Sequence, residues 1–247
     1  MARIDYNDET AAAFQAAREV PRSGLADWRA AIARFVEPRP DMTILDVGAG
    51  TGAFTAAFRE WFGVTVKAVE PSPAMRERIP AGPGVEVLDG DAENLPVPDE
   101  SADAAWLSTV THHIPDLDAA AREIRRALKP GAPVLIRNVF PGRVEVASAR
   151  FFPEITRMVD TYPSVDRTRA AFEAAGFGFE ALEPVAQTDG STLAGMAGLA
   201  DRFRAADTLM RALTDEEFAR GMERLRAAVA VAGDEPVVSY LDLLVVR

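Results

Sequence analysis

The chain contains no cysteine. That excludes disulfides, thiolate-held metals and a cysteine nucleophile. Histidine is nearly as scarce, with two residues in 247, adjacent at His112 and His113. Lysine occurs only at Lys67 and Lys129, so arginine supplies the other cations. No stretch approaches the ~18 uninterrupted apolar residues of a membrane span. The opening "MARIDYNDETAAAF" lacks the basic-then-apolar order of a secretory leader. A cytoplasmic protein with no membrane partner is the expectation. The net charge of −11 repels polyanions, and non-specific nucleic-acid binding needs clustered cations, so nucleic acid is not expected as a partner. What remains is ordinary for a globular protein: 48% hydrophobic and 26% charged residues, in a length that suits one α/β domain. Nothing in the pattern bears on oligomeric state.

Along the chain, residues 7–36 read as helix, interrupted by "VPRSG" at 20–24, with "EPRPD" at 37–41 as a linker. From there strands alternate with helices. Strands are predicted at 43–47, 64–70, 85–91, 102–108 and 132–140. Helices follow the first two, at "AFTAAFREWF" and "SPAMRERI", and another spans 116–128, stopped by Lys129-Pro130-Gly131. "RVEVASARFFPEITRMVDTYPS" reads as a largely helical excursion. "DRTRAAFEAAGF" is a helix, "FGFEALEPVAQT" a sixth strand, 192–230 helical again, and "PVVSYLDLLVVR" a seventh strand. Such alternation predicts right-handed βαβ units: an α/β, Rossmann-like, doubly wound and mostly parallel seven-stranded sheet. The expected organisation is one domain over 1–247. It has a helical lid at 1–40, a cofactor-binding half at 41–140, and helical cover at 141–170 and 192–230. Ligands in such sheets sit at the carboxyl ends of the strands. That rim collects residues 48–52, 70–75, 89–93, 108–113 and 137–140.

Chemistry concentrates there. "ILDVGAGTGAFT" (44–55) runs a strand into Gly48, Ala49, Gly50, Thr51 and Gly52 and then into a helix. Glycines permit positive φ and close approach of a ligand to the backbone, and the helix start offers unpaired N–H groups. No Lys-Ser/Thr follows, so this is not a Walker A loop. The next strand ends in Glu70, about 20 residues on, where an acid accepts from ribose hydroxyls in dinucleotide sites. Asp91, on the third rim segment, is placed to accept from an adenine amino group. In this order the residues describe a nucleoside site. An NAD fingerprint reads G-x-G-x-x-G, whereas this loop reads G-A-G-T-G.

Over most of Ile44–Ile136 the chain resembles the small-molecule branch of the class I S-adenosylmethionine-dependent methyltransferases. The likeness lies in "LDVGAGTG", "VEPSPAM", "GDAENLPVPDESADAAW" and "THHIPDLDAAAREIRRALKPG". It implies S-adenosylmethionine as cofactor, no metal, and a small organic acceptor such as a specialised metabolite. Gly48, Ala49, Gly50 and Gly52 would approach the aminoacyl part and ribose, with Asp46 orienting the loop or the ammonium group. Glu70 would hold the ribose hydroxyls, with Pro71 and Met75 near the adenine. Asp91 and the backbone of Ala92 would read the adenine edge, and Ser108 would lie near the methionine portion. Tyr6, Phe14 and Arg18 are lid candidates, Arg18 toward the cofactor carboxylate. "KPGAP" (129–133) departs from a common second glycine, yet Ala132-Pro133 still permits the turn.

Methyl transfer to oxygen or nitrogen requires removal of a proton, and histidine titrates near neutrality. Adjacent residues differ by ~100° on a helix and ~180° on a strand, so His112 and His113 are not expected to aim at one methyl group together. Adjacency also disfavours joint metal ligation, which uses i, i+4 spacing. In similar O-methyltransferases a histidine after the fourth strand is the base and a carboxylate ending the fifth strand orients it. The matching residue here is Asn138, which can orient an imidazole but cannot stabilise an imidazolium as a carboxylate does. Trp28, Phe140, Phe151, Phe152, Tyr162 and Tyr240 are candidate walls of the substrate pocket. Two alternatives stay open: an enzyme that keeps the cofactor for other chemistry, such as cyclisation, and a non-catalytic nucleoside-binding module.

Overall fold

The computed structural model describes Ala11 and residues 21–247. Seven strands form one sheet in the order β3-β2-β1-β4-β5-β7-β6. They span Thr43–Val47 (β1), Thr65–Val69 (β2), Val85–Leu88 (β3), Ala104–Ser108 (β4), Val134–Asn138 (β5), Phe179–Gln187 (β6) and Ser239–Val246 (β7). The first five pair in parallel. β7 runs antiparallel to both β5 and β6. Chain order reverses between β1 and β4, which makes a crevice at the carboxyl ends of the strands.

Side chains alternate between two cores. On one face Ile44, Trp106, Leu135 and Leu243 pack with the helix Ala26–Val36 and the helical segments after residue 150. On the other, Leu45, Leu107, Ile136 and Leu244 pack with Leu117–Ala127 and Val165–Ala174. Burial on both faces explains why β1, β4 and β5 read as continuous apolar runs. Trp106 anchors the first core, with Phe54 at 4.6 Å, Phe58 at 5.6 Å and Trp28 at 5.9 Å between ring centroids. The helices start and stop where local chemistry dictates. Asp116 accepts from the N–H groups of Asp118 and Ala119, and Thr214 and Glu217 form a reciprocal capping box on Asp215–Ala232. Gly63, at φ +68°, ends Ala53–Phe62.

Two expectations need correction. "SPAMRERI" gives only the single turn Pro73–Arg76, because Pro80 follows closely and Ile79 turns in to pack beside Gly52. The 141–162 stretch is not largely helical. It holds the 3-10 turns Ala147–Arg150 and Pro153–Ile155 and the short helix Thr156–Val159, while Glu145 bridges to Tyr240 as extended chain and Pro153 interrupts any earlier helix. Of the two helices expected over 7–36, the second is observed as Ala26–Val36, preceded by the 3-10 turn Arg22–Leu25. Tyr6, Phe14 and Arg18 lie outside the described residues. No helix among the described residues is long and apolar enough to cross a membrane.

Candidate active site

A cavity of about 610 Å³ opens at the carboxyl rim of the sheet. The glycine loop forms one wall. Gly48 and Gly50 stand at φ +70° and +57°, in the left-handed region that glycine enters without strain. A Cβ on Gly48 would lie 2.4 Å from Val110 Cγ2, so this position excludes any side chain. Gly52, at φ +80°, does not line the cavity. Its bare Cα faces Ile79 and Pro80 at the start of the helix Ala53–Phe62.

Two buried acids fix the loop. Glu70 receives the Gly50 N–H at 2.8 Å and the Ser72 N–H at 2.9 Å, tying the turns after β1 and β2 together. Burial pushes its carboxyl upward, against the pull of those two donors. Asp46 accepts from Thr55 Oγ1 at 2.6 Å. Burial raises it from an ordinary 3.8 to about 7, opposed by the Thr55 hydroxyl and reinforced by nearby Glu70. Asp91 makes a turn of its own, accepting from the N–H groups of Glu93 and Asn94 through Oδ1. Asp46, Ala49, Glu70, Pro71, Met75, Asp91, Ala92 and Ser108 all line the same cavity.

The histidines sit beyond β4 in a 3-10 turn, Thr111–His113. Thr109 enters it at φ +50°, rare for a β-branched residue. Because the segment is neither regular helix nor strand, both rings reach the cavity, their centroids 4.1 Å apart. His112 also stacks on Tyr162, centroids 3.9 Å apart and planes 6° from parallel. Asn138 is buried and donates through Nδ2 to Thr111 Oγ1 at 2.7 Å. Through this bond Asn138 meets the residue that precedes His112, and it lines the same cavity as both histidines.

Sequence reasoning overreached on the walls. Trp28 is fully buried against Trp106, behind the guanidinium of Arg137, and Phe140 belongs to the opposite core. Phe151 is core, and Tyr240 is 42% exposed on β7. None of the four lines the cavity, whereas Phe152 and Tyr162 do. Missed were the lining residues Met196, Phe203, Leu209 and Met210 from the 193–211 helices, and Arg137 and Gln187 from β5 and β6. An arginine inside the apolar run "VLIRNV" was the signal available for Arg137. Among the described residues no group of three His, Asp or Glu is arranged to hold a metal.

Residues 45–136 match the family model described as "Methyltransferase domain". That stretch is similar to the methyltransferase domains the model describes. Over 117 residues the chain is 36% identical to the ubiquinone/menaquinone biosynthesis C-methyltransferase of a Caulobacter species, covering 42% of this chain and 46% of that one. The chain thus spans about half the length of curated relatives such as this. Among solved structures, one described as a methyltransferase from an antibiotic biosynthesis pathway of Anabaena variabilis superposes with a TM-score of 0.69 at 20% identity. That match covers 88% of this chain and 95% of the other. The cyclase SpnF superposes with a TM-score of 0.61 at 21% identity, covering 94% and 84%. These similarities show the fold, a Rossmann-like, mostly parallel seven-stranded sheet with helices.

Proposed function

We propose that the protein transfers a methyl group from S-adenosylmethionine to an oxygen, nitrogen or carbon nucleophile of a small, largely apolar molecule. The observation that carries this reading is convergence: the glycine loop, the acid on β1 and those after β2 and β3, and both histidines line one cavity. The residues suit the cofactor. Gly48 lets the loop backbone pass close to Val110 at a positive φ while lining the cavity, and Glu70 and Asp91 stand at successive strand ends where ribose and adenine would lie. Asp46 is a buried carboxyl beside the site of a cationic group. When bound, S-adenosylmethionine supplies an activated methyl group on a sulfonium sulfur.

The chain's own residues do the rest. A histidine takes the proton that the acceptor loses, and His112 leads because Tyr162 fixes its ring plane. Asn138 holds Thr111 and through it the turn that carries the pair. Phe152, Phe203 and Met210 wall the acceptor side and exclude water. Catalysis on this account is mostly alignment and proton removal. The test is release of S-adenosylhomocysteine in the presence of candidate acceptors. Turnover that consumes acceptor without that product favours cyclase-like chemistry, and cofactor binding with no turnover of any acceptor favours a binding module.

A further inference from the structure

The helix Asp215–Ala232 carries a glycine in its interior, Gly221. Its backbone is ordinary helix with no positive φ, so conformation does not call for glycine, and glycine there is destabilising relative to alanine. The reason lies opposite. A Cβ on Gly221 would overlap Cδ1 and Cε1 of Phe152 and stand 2.9 Å from its Cγ. The ring therefore rests on the bare backbone of the helix. Phe152 is fully buried and is one of the walls of the cavity. It also stacks on Phe218, one turn before Gly221, with centroids 5.6 Å apart and planes 18° from parallel.

The helix is fastened on both sides of this contact. One turn before it, Glu217 pairs with Arg157 at 2.7 Å. One turn after it, Arg224 donates to the Phe151 carbonyl at 2.6 Å and pairs with Glu154 at 3.0 Å. These ties join the helix to the 151–157 segment that carries Phe152, so backing the helix away would break them. The ring, by contrast, borders a void. We infer that Gly221 sets the size of the methyl acceptor the cavity admits. By leaving the helix bare it lets the Phe152 ring withdraw, and a side chain there would drive the ring into the space of the acceptor. This rests on the methyltransferase reading above. Gly221 is not among the described residues that line the cavity; it acts through Phe152, as a positioning residue.

The test uses protein saturated with S-adenosylhomocysteine and titrated calorimetrically with phenol and, separately, 1-naphthol. The probes share a head group and differ by one ring. The wild type is expected to bind 1-naphthol about tenfold more tightly, from the added apolar area. Gly221→Ala should cut that preference at least about fivefold, while affinity for S-adenosylhomocysteine stays within about threefold. Its crystal structure should show the Phe152 ring moved into the cavity by about 1 Å or more. Adding Phe152→Leu, with its smaller side chain, should restore the preference. A merely structural glycine predicts a lower melting temperature with the preference intact, and that result overturns the inference. So does a helix that shifts while the ring stays, or a wild type that binds the two probes equally or binds neither. Should Gly221→Ala fail to fold, the double variant decides: it should fold and favour 1-naphthol, and either failure overturns the inference. Absence of S-adenosylhomocysteine binding in the wild type removes the methyltransferase reading and this inference together, whereas failure with S-adenosylhomocysteine bound strikes the inference alone.

Discussion

The imidazole of His112 lies flat on the phenol ring of Tyr162, 3.9 Å between centroids and 6° from parallel. The two residues come from different parts of the fold, the turn after β4 and the segment after the short helix Thr156–Val159. The pairing therefore couples the histidine turn to the cover of the cavity. With two histidines in the chain, proton NMR resolves them readily. One imidazole should show upfield-shifted ring protons from the Tyr162 ring current. Tyr162→Leu should return them toward ordinary positions, and Tyr162→Phe should preserve the shift. Unshifted resonances in the wild type would remove the stack.

Glu70 carries two backbone donors, from Gly50 and Ser72. Glu70→Gln keeps its size but replaces one acceptor oxygen with a donor and removes the charge. Hydrogen bonds to charged groups contribute about 1.5–3 kcal/mol, so affinity for S-adenosylmethionine should fall roughly 10- to 100-fold. Calorimetry measures it directly, and unchanged affinity would displace the ribose from this position.

Gly48→Ala meets two obstacles, a φ of +70° and a contact 2.4 Å from Val110. The backbone alone costs about 1–2 kcal/mol. The variant should melt several degrees lower and lose most cofactor affinity. Adding Val110→Ala should recover part of the stability but not all, since the backbone strain persists. Full recovery would show that steric contact alone was at fault.

Asp46 ties stability to pH. Burial raises its carboxyl from 3.8 to about 7. The folded protein holds a proton there that the unfolded chain releases near pH 4. This group's contribution to stability is therefore complete below about pH 4 and is lost as pH rises through about 7. Glu70, also raised, acts in the same direction. Each pH unit within that window removes up to about 1.4 kcal/mol for one such group. Urea unfolding from pH 4 to 8 should show the wild type losing stability relative to Asp46→Asn as pH rises. Parallel curves would contradict a protonated Asp46.

The sheet was legible because both of its faces are buried. Apolar runs such as "TILDV" and "APVLIRNVF" allow no other role between helices of clear amphipathic pattern. The side of the cavity built by the glycine loop and the acids was legible for a related reason, since strand ends, a glycine loop and acids are fixed by chain order. The side over β5, β7 and β6 was not. Arg137 and Asn138 are neighbours in sequence, yet alternation along β5 sends them to opposite faces. Arg137 reaches Ser108 and Gln187 while Asn138 bonds to Thr111, and both line the cavity. Trp28 and Tyr162 are both aromatic residues in helical or turn segments. Only tertiary packing makes the first a core residue and the second a partner of His112. The 141–162 stretch misled because its composition favours helix, while its path is set by the bridge from Glu145 to Tyr240 and by buried Phe152.

Calorimetric titration of the wild-type protein with S-adenosylmethionine tests the central claim most directly. One saturable site per chain, weakened by Glu70→Gln and nearly abolished by Gly48→Ala, is the predicted result. A flat titration with no shift in melting temperature on adding the cofactor would contradict the account.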